Sequence, residues 1–209
     1  MEELFKKLDL NEYLSAYNEF LSRPKSLFIS GDSKANCAIN SCTRLDPIDK
    51  AGLEALIKAG KENPDVIKTL KCRTVAEGKF RHANYIRNLP AYIVDEPPTL
   101  LGDDTAPNPS EAVLAALGSC IAVGIHANAI AQNIVITKLE VELEGDLNIT
   151  AVWGTGDLSD KPLGFTDVRV NVILESNADE ERKNALIAHA LKYSPVANTL
   201  LRQVNLEAK

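Results

Sequence analysis

The chain is short of positive charge, of cysteine and histidine, and of apolar sequence at its N-terminus, and each scarcity removes a class of function. It has 23 Lys and Arg against 29 Asp and Glu, a formal net charge of -6 at pH 7. That balance argues against a surface for nucleic acid or for an anionic membrane. Four cysteines in 209 residues fit a reducing compartment, where thiols are structural or catalytic rather than a disulfide framework. The opening residues, MEELFKKLDL, lack the apolar core of a signal peptide, which predicts a cytoplasmic protein. No internal repeat or low-complexity tract is evident. Length and an apolar content of 45% suit one domain plus an appendage, or two small domains, with a proper core.

What the chain does have is one long, weakly polar run, PSEAVLAALGSCIAVGIHANAIAQN, from Pro109 to Asn133. Asn108, Pro109 and Glu111 read as N-cap, first helical residue and third, a capping box that starts a helix. From Ala112 to Ala131 nearly every residue is Ala, Gly, Val, Leu or Ile, enough for about 30 Å of helix and so for a membrane span. Ala and Gly make up much of that content, His126 and Asn128 sit inside it, and no basic or aromatic flanks anchor its ends. The run therefore predicts a soluble core helix, buried on all its faces and wrapped by sheet.

Around it the chain reads in order. Leu4, Leu8, Tyr13, Leu14, Tyr17 and Leu21 recur at helical spacing as far as Pro24, and a turn-rich segment carrying Cys37 and Cys42 follows. A helix is expected from Pro47 to Lys61 with Asp46 as its cap. A composition shift near residue 70 divides an N-terminal helical extension (1–70), a candidate partner-binding adaptor, from the main domain (71–209). CRTVAEGKF and NYIRNLPAYIVDE read as two extended segments joined around Gly78 to Ala83. Two longer alternating segments, 134–148 and 165–176, read as strands. A helix capped by Asn177 is expected to run to Tyr193, Ser194-Pro195 to open a short one, and VNLEA to close the chain as a strand. Strands, long helix, strands, helix and strand make an α+β fold rather than a doubly wound parallel sheet.

Cys120 is the residue of most chemical interest. It is either a reactive thiol or a small apolar filler beside Gly118 and Ala116. Three turns into its helix it gains little from the helix N-terminus, so reactivity requires a cationic partner from elsewhere. Cys37 and Cys42 form a C-x4-C pair that is short of a four-ligand metal site. His126 lies about 240° around the helix from Cys120, and His82 is placed near the hairpin turn. His189 lacks the third group that a Ser-His hydrolase with Ser194 would need. Gly154-Thr155-Gly156-Asp157 is a turn between strands, not a phosphate loop. Asp95-Glu96 and Asp103-Asp104 read as solvated loop carboxylates.

The central run, a later strand ending EVELEGDL, and SPVANTL near the C-terminus together resemble the OsmC/Ohr family over about residues 72 to 208. The resemblance implies an antiparallel sheet wrapped around a long central helix in an intertwined homodimer, with sites at the subunit interface. It implies thiol-dependent reduction of organic hydroperoxides, without cofactor or metal. Cys120 matches the attacking thiol, Arg81 (or next Arg87) its activating guanidinium, and Glu111 the carboxylate that orients the Arg. The family's second Cys, before a proline on the later helix, falls at Ser194 and is missing. The Glu expected directly after Asn-Pro is one residue on, because Ser110 holds that place. An external thiol, or Cys37 or Cys42, is then needed to resolve an oxidised Cys120. The alternative is a non-enzymatic homodimer that holds a small apolar or thiol-bearing ligand at its interface.

Overall fold

The computed structural model describes residues 45–208. The expected helix over residues 1–24 and the segment with Cys37 and Cys42 lie outside that range. The described elements are α1 (Lys50–Glu62), β1 (Arg73–Gly78), β2 (Arg81–Tyr85), β3 (Tyr92–Val94), α2 (Pro109–Ala131), β4 (Ile136–Leu147), β5 (Phe165–Ser176), α3 (Glu180–Tyr193) and α4 (Pro195–Leu201). The strands form two antiparallel sheets, β1-β2-β3 and β4-β5. The fold is α+β, as the element order predicts.

α1 starts later than the sequence suggests. Its cap is Asp49, whose carboxylate accepts the Ala51 N–H at 3.1 Å. Asp46 and Pro47 lie in the irregular stretch before it. The α1 region is tied to the rest at two points. Lys50 Nζ donates to Asn133 Oδ1 (2.8 Å), and the Leu45 N–H donates to the Ile136 carbonyl (3.0 Å).

The first hairpin turns tightly at Lys79-Phe80, so β2 already begins at Arg81. The expected single strand over 84–96 is broken in two. After Tyr85 the chain turns, with Arg87 at φ 54° and Leu89 N–H donating to the Ile86 carbonyl, and Pro90 cannot supply a strand donor. β3 re-forms beyond it.

The capping box of α2 is present in both directions. Asn108 Oδ1 accepts the Glu111 N–H and Glu111 Oε2 accepts the Asn108 N–H, each at 2.8 Å. Such a cap contributes about 0.5–2 kcal/mol. Leu117, Ile121, Ile125 and Ala129, at steps of four, form its fully buried stripe. Each buried Leu or Ile stabilises by about 1.5–3 kcal/mol. The β4-β5 ribbon packs on α2. Its register pairs Leu139 with Leu174, Val141 with Val172 and Leu143 with Val170 on one apolar face. The other face carries Glu140, Glu142, Glu144 and Asp146, with Arg169 donating to Glu144 and Asp146. Gly118 and Gly145 make the close approach feasible. A Cβ on Gly118 would lie 2.7 Å from Leu143 Cδ1, and one on Gly145 would lie 2.5 Å from the Phe165 ring.

Two expectations about α2 and the C-terminus fail within the single chain. By length and composition α2 could cross a membrane, and it was expected to be covered all round. Instead Ala115, Ala116, Ser119 and Val123, opposite the buried stripe, are exposed, Val123 by 68%. One chain supplies packing elements for only one side. VNLEA forms no strand, and Leu206 is 93% exposed. The cap of α3 is also not Asn177 but Asp179, which accepts the Arg182 N–H at 2.9 Å. Asn177 Oδ1 is already used by the Val135 N–H.

Candidate functional site

Cys120 sits on α2, partly exposed, and Ser194 lies against it. Ser194 ends α3 and caps α4, with Pro195 as the first residue of the new helix. Its Oγ accepts the Ala197 N–H at 3.1 Å and lies 3.1 Å from Cys120 Sγ. A serine hydroxyl has one hydrogen. One of its two lone pairs takes the Ala197 N–H, and its O–H donates to the sulfur. Asn198 Nδ2 clamps the junction by donating to the carbonyls of Lys192 (3.0 Å) and Ser194 (2.9 Å). The resemblance to a two-thiol site pointed to position 194, and the structure places its serine in contact with the thiol it would have resolved.

A second polar cluster forms around Arg81. Between Ala76 and Gly78 the β1 register slips, leaving Glu77 as the extra residue of a bulge. Glu77 Oε2 accepts Arg81 Nε at 2.9 Å, and Arg81 Nη1 donates to Thr105 Oγ1 at 2.7 Å. Thr105 then donates its hydroxyl (2.7 Å) and its N–H (3.0 Å) to Asp95 Oδ2, while the Glu96 N–H donates to Asp95 Oδ1 (2.8 Å). Asp95 is 1% exposed, so the expectation of a solvated carboxylate is wrong here. The Thr105 hydroxyl, then its N–H, hold the Asp95 pKa down at about 2. Glu96 goes the other way. Burial first, then the charges of Glu111 and Asp95, push it upward, and its Oε2 is buried with no hydrogen-bond partner among the described residues. The sequence carries no periodic signal for this cluster, because the 96–104 loop that folds Thr105 back is irregular.

None of Cys120, Arg81 and Glu111 is hydrogen-bonded to another of the three within the chain. Arg81 is held by Glu77 and Thr105, and Glu111 by the Asn108 N–H. Nine residues of helix separate Glu111 from Cys120, about 13 Å and half a turn. Arg87 lies exposed on the turn after β2. Cys37 and Cys42 fall outside the described residues, and Cys72 is exposed. His82 Nδ1 is 2.8 Å from the Phe80 carbonyl oxygen, and the His189 ring lies against Tyr193 at a 40° tilt with centroids 4.5 Å apart. Among the described residues no group of three or more His, Cys, Asp and Glu is placed to hold a metal ion.

Comparison with known proteins follows the same outline. Residues 102–209, just over half the chain, match the family described as OsmC-like protein. Three solved structures share the fold at low identity. An OsmC-like protein from Mycoplasma pneumoniae is 19% identical, with a TM-score of 0.55, covering 65% of this chain and 89% of that one. A putative osmotic stress induced and detoxification response protein from Psychrobacter arcticus is 18% identical, with a TM-score of 0.53, covering 65% and 90%. An OsmC-like protein of unknown function from Vibrio cholerae is 16% identical, with a TM-score of 0.52, covering 64% and 94%. No curated protein matches. With an Asn-capped central helix, a thiol at its middle and the later helix bringing position 194 onto that thiol, the chain belongs to the OsmC-like family.

Proposed function

We propose that the protein reduces organic hydroperoxides through Cys120, as a homodimer, with an external thiol as reductant. The observation that supports it is a partly exposed Cys120 whose sulfur receives a hydrogen bond from a buried hydroxyl. In the first half-reaction the Cys120 thiolate attacks the distal oxygen of ROOH. The O–O bond breaks, an S–O bond forms, and the departing alkoxide takes a proton to leave as ROH. Sulfur loses two electrons and becomes sulfenic acid. With serine at position 194 no disulfide closes there. A free thiol condenses with the sulfenic acid, releasing water, and a second thiol attacks the mixed disulfide to restore Cys120.

The bare face of α2 supports the dimer. Ala115, Ala116, Ser119 and Val123 offer small, mostly apolar side chains on which a second copy of the helix can pack closely.

The test is consumption of cumene hydroperoxide with excess dithiothreitol. Wild type should turn over and Cys120→Ser should fall to background. Equal slow decay in both rejects the enzyme and favours the second reading, an interface pocket that holds a small apolar or thiol-bearing ligand. The engagement of Arg81 away from the sulfur is the observation on that side.

A further inference from the structure

We propose that Ser194 is a positioning residue whose hydroxyl is committed to the sulfur of Cys120 and sets how fast that thiol meets electrophiles. The inference rests on Cys120 being the reacting atom, and it names a residue that the two-thiol pattern leaves without a role.

Three observations carry it. Ser194 is 3% exposed, so water competes little for its hydrogen. One of its lone pairs takes the Ala197 N–H, and its O–H is within donating distance of Sγ at 3.1 Å. Its backbone is held on both sides, by Pro195 at the helix start and by Asn198 across the Lys192 and Ser194 carbonyls. The arrangement is stiff from the helix junction to the sulfur. Thiols attack as thiolates, and a hydrogen bond to an anion is about twice as strong as one between neutral groups. The O–H therefore fixes where the sulfur sits as an electrophile approaches.

Capping alone predicts the opposite outcome for reactivity. Loosening the start of α4 would open the site and speed modification of Cys120, whereas loss of the donor slows it. The sign separates the two roles.

The experiment is iodoacetamide alkylation of the full-length chain, read residue by residue by mass spectrometry, with exposed Cys72 as internal reference. Ser194→Ala should slow alkylation of Cys120 roughly three- to tenfold, the change that one ordinary hydrogen bond corresponds to, and leave Cys72 unchanged. Ser194→Gly removes the hydroxyl while keeping most of the capping preference, and should be slowed alike. Ser194→Thr should restore the rate. An unchanged or faster Cys120 in both the Ala and Gly variants, folded by circular dichroism, overturns the proposal. Cumene hydroperoxide consumption is measured in parallel. A wild type that consumes none while Ser194→Ala still slows alkylation rejects the peroxidase reading and upholds the role of Ser194. Unchanged alkylation with active turnover does the reverse.

Discussion

Gly124 faces Ala190 one helical turn away from where Cys120 meets Ser194. Both pairs are spaced by four residues on antiparallel helices, α2 and α3. A Cβ on Gly124 would lie 3.1 Å from the Ala190 Cβ and 3.4 Å from its Cα. The closeness of the two helices at that glycine therefore sets the distance between hydroxyl and thiol. Gly124→Ala gains about 1 kcal/mol of helix propensity and loses about 1–3 kcal/mol to overpacking. Its stability in urea should change little or fall modestly, while Cys120 alkylation slows toward the rate of Ser194→Ala. Unchanged alkylation would uncouple the two contacts.

Ser194→Cys should convert the site to a two-thiol one. Oγ and Sγ are 3.1 Å apart, and a disulfide needs about 2.05 Å, a small approach for two side chains. One equivalent of cumene hydroperoxide should yield an intramolecular disulfide between Cys120 and the introduced thiol, seen by mass spectrometry of the unreduced protein. Wild type should yield a dimedone-reactive sulfenic acid instead.

Val123→Glu places a charge in the middle of the bare α2 face. If a second copy packs there, the charge is desolvated without a partner, at a cost of several kcal/mol. Light scattering should show the wild type at twice the chain mass and the variant at once, with its helical content retained.

Asp95 makes an acid-sensitive contribution. Its folded pKa, about 2, is below the usual 3.8, so its stabilisation is fully present above pH 3.8 and is lost as pH falls toward 2. Asp95→Asn should melt below wild type at pH 7, and the gap should close over that window. A gap that stays constant to pH 2 would mean that the Thr105 contacts do not depend on the charge.

Glu96 carries the reverse sign. Its pKa is raised above 4.5 by burial and by the Glu111 and Asp95 carboxylates, so its charged form opposes folding above the folded pKa. Glu96→Gln should raise Tm at pH 7 by about 2–4 °C for each kcal/mol relieved. The gain should shrink as pH falls through the folded pKa toward 4.5. A lower Tm at pH 7 would indicate that Oε2 finds a partner in solution.

Local signals were legible in the sequence, and contacts across the chain were not. The Asn108–Glu111 box and the Ser194-Pro195 cap depend on residues three apart, and both are present. The alternation of β4 and β5 showed which face would meet α2. The Ser194–Cys120 contact spans 74 residues and depends on how two helices approach at Gly124, which no local pattern reports. The burial of Asp95 has no local signal, because acidic residues in a Pro-rich loop are ordinarily solvated, whereas Thr105 returns ten residues later to cover it. The bare side of α2 is likewise silent in the sequence, because composition reveals how much surface wants burial and not which chain buries it.

The row of Glu140, Glu142, Glu144 and Asp146 on the outward face of β4 has a bearing on the newly made chain. Within the described residues β4 and β5 pair only with each other, so each 12-residue strand keeps an open edge. Open edges invite stacking of one ribbon on the next, and a line of like charges is a deterrent. Acidification that neutralises the row would weaken that deterrent and leave the edges of the ribbon less protected.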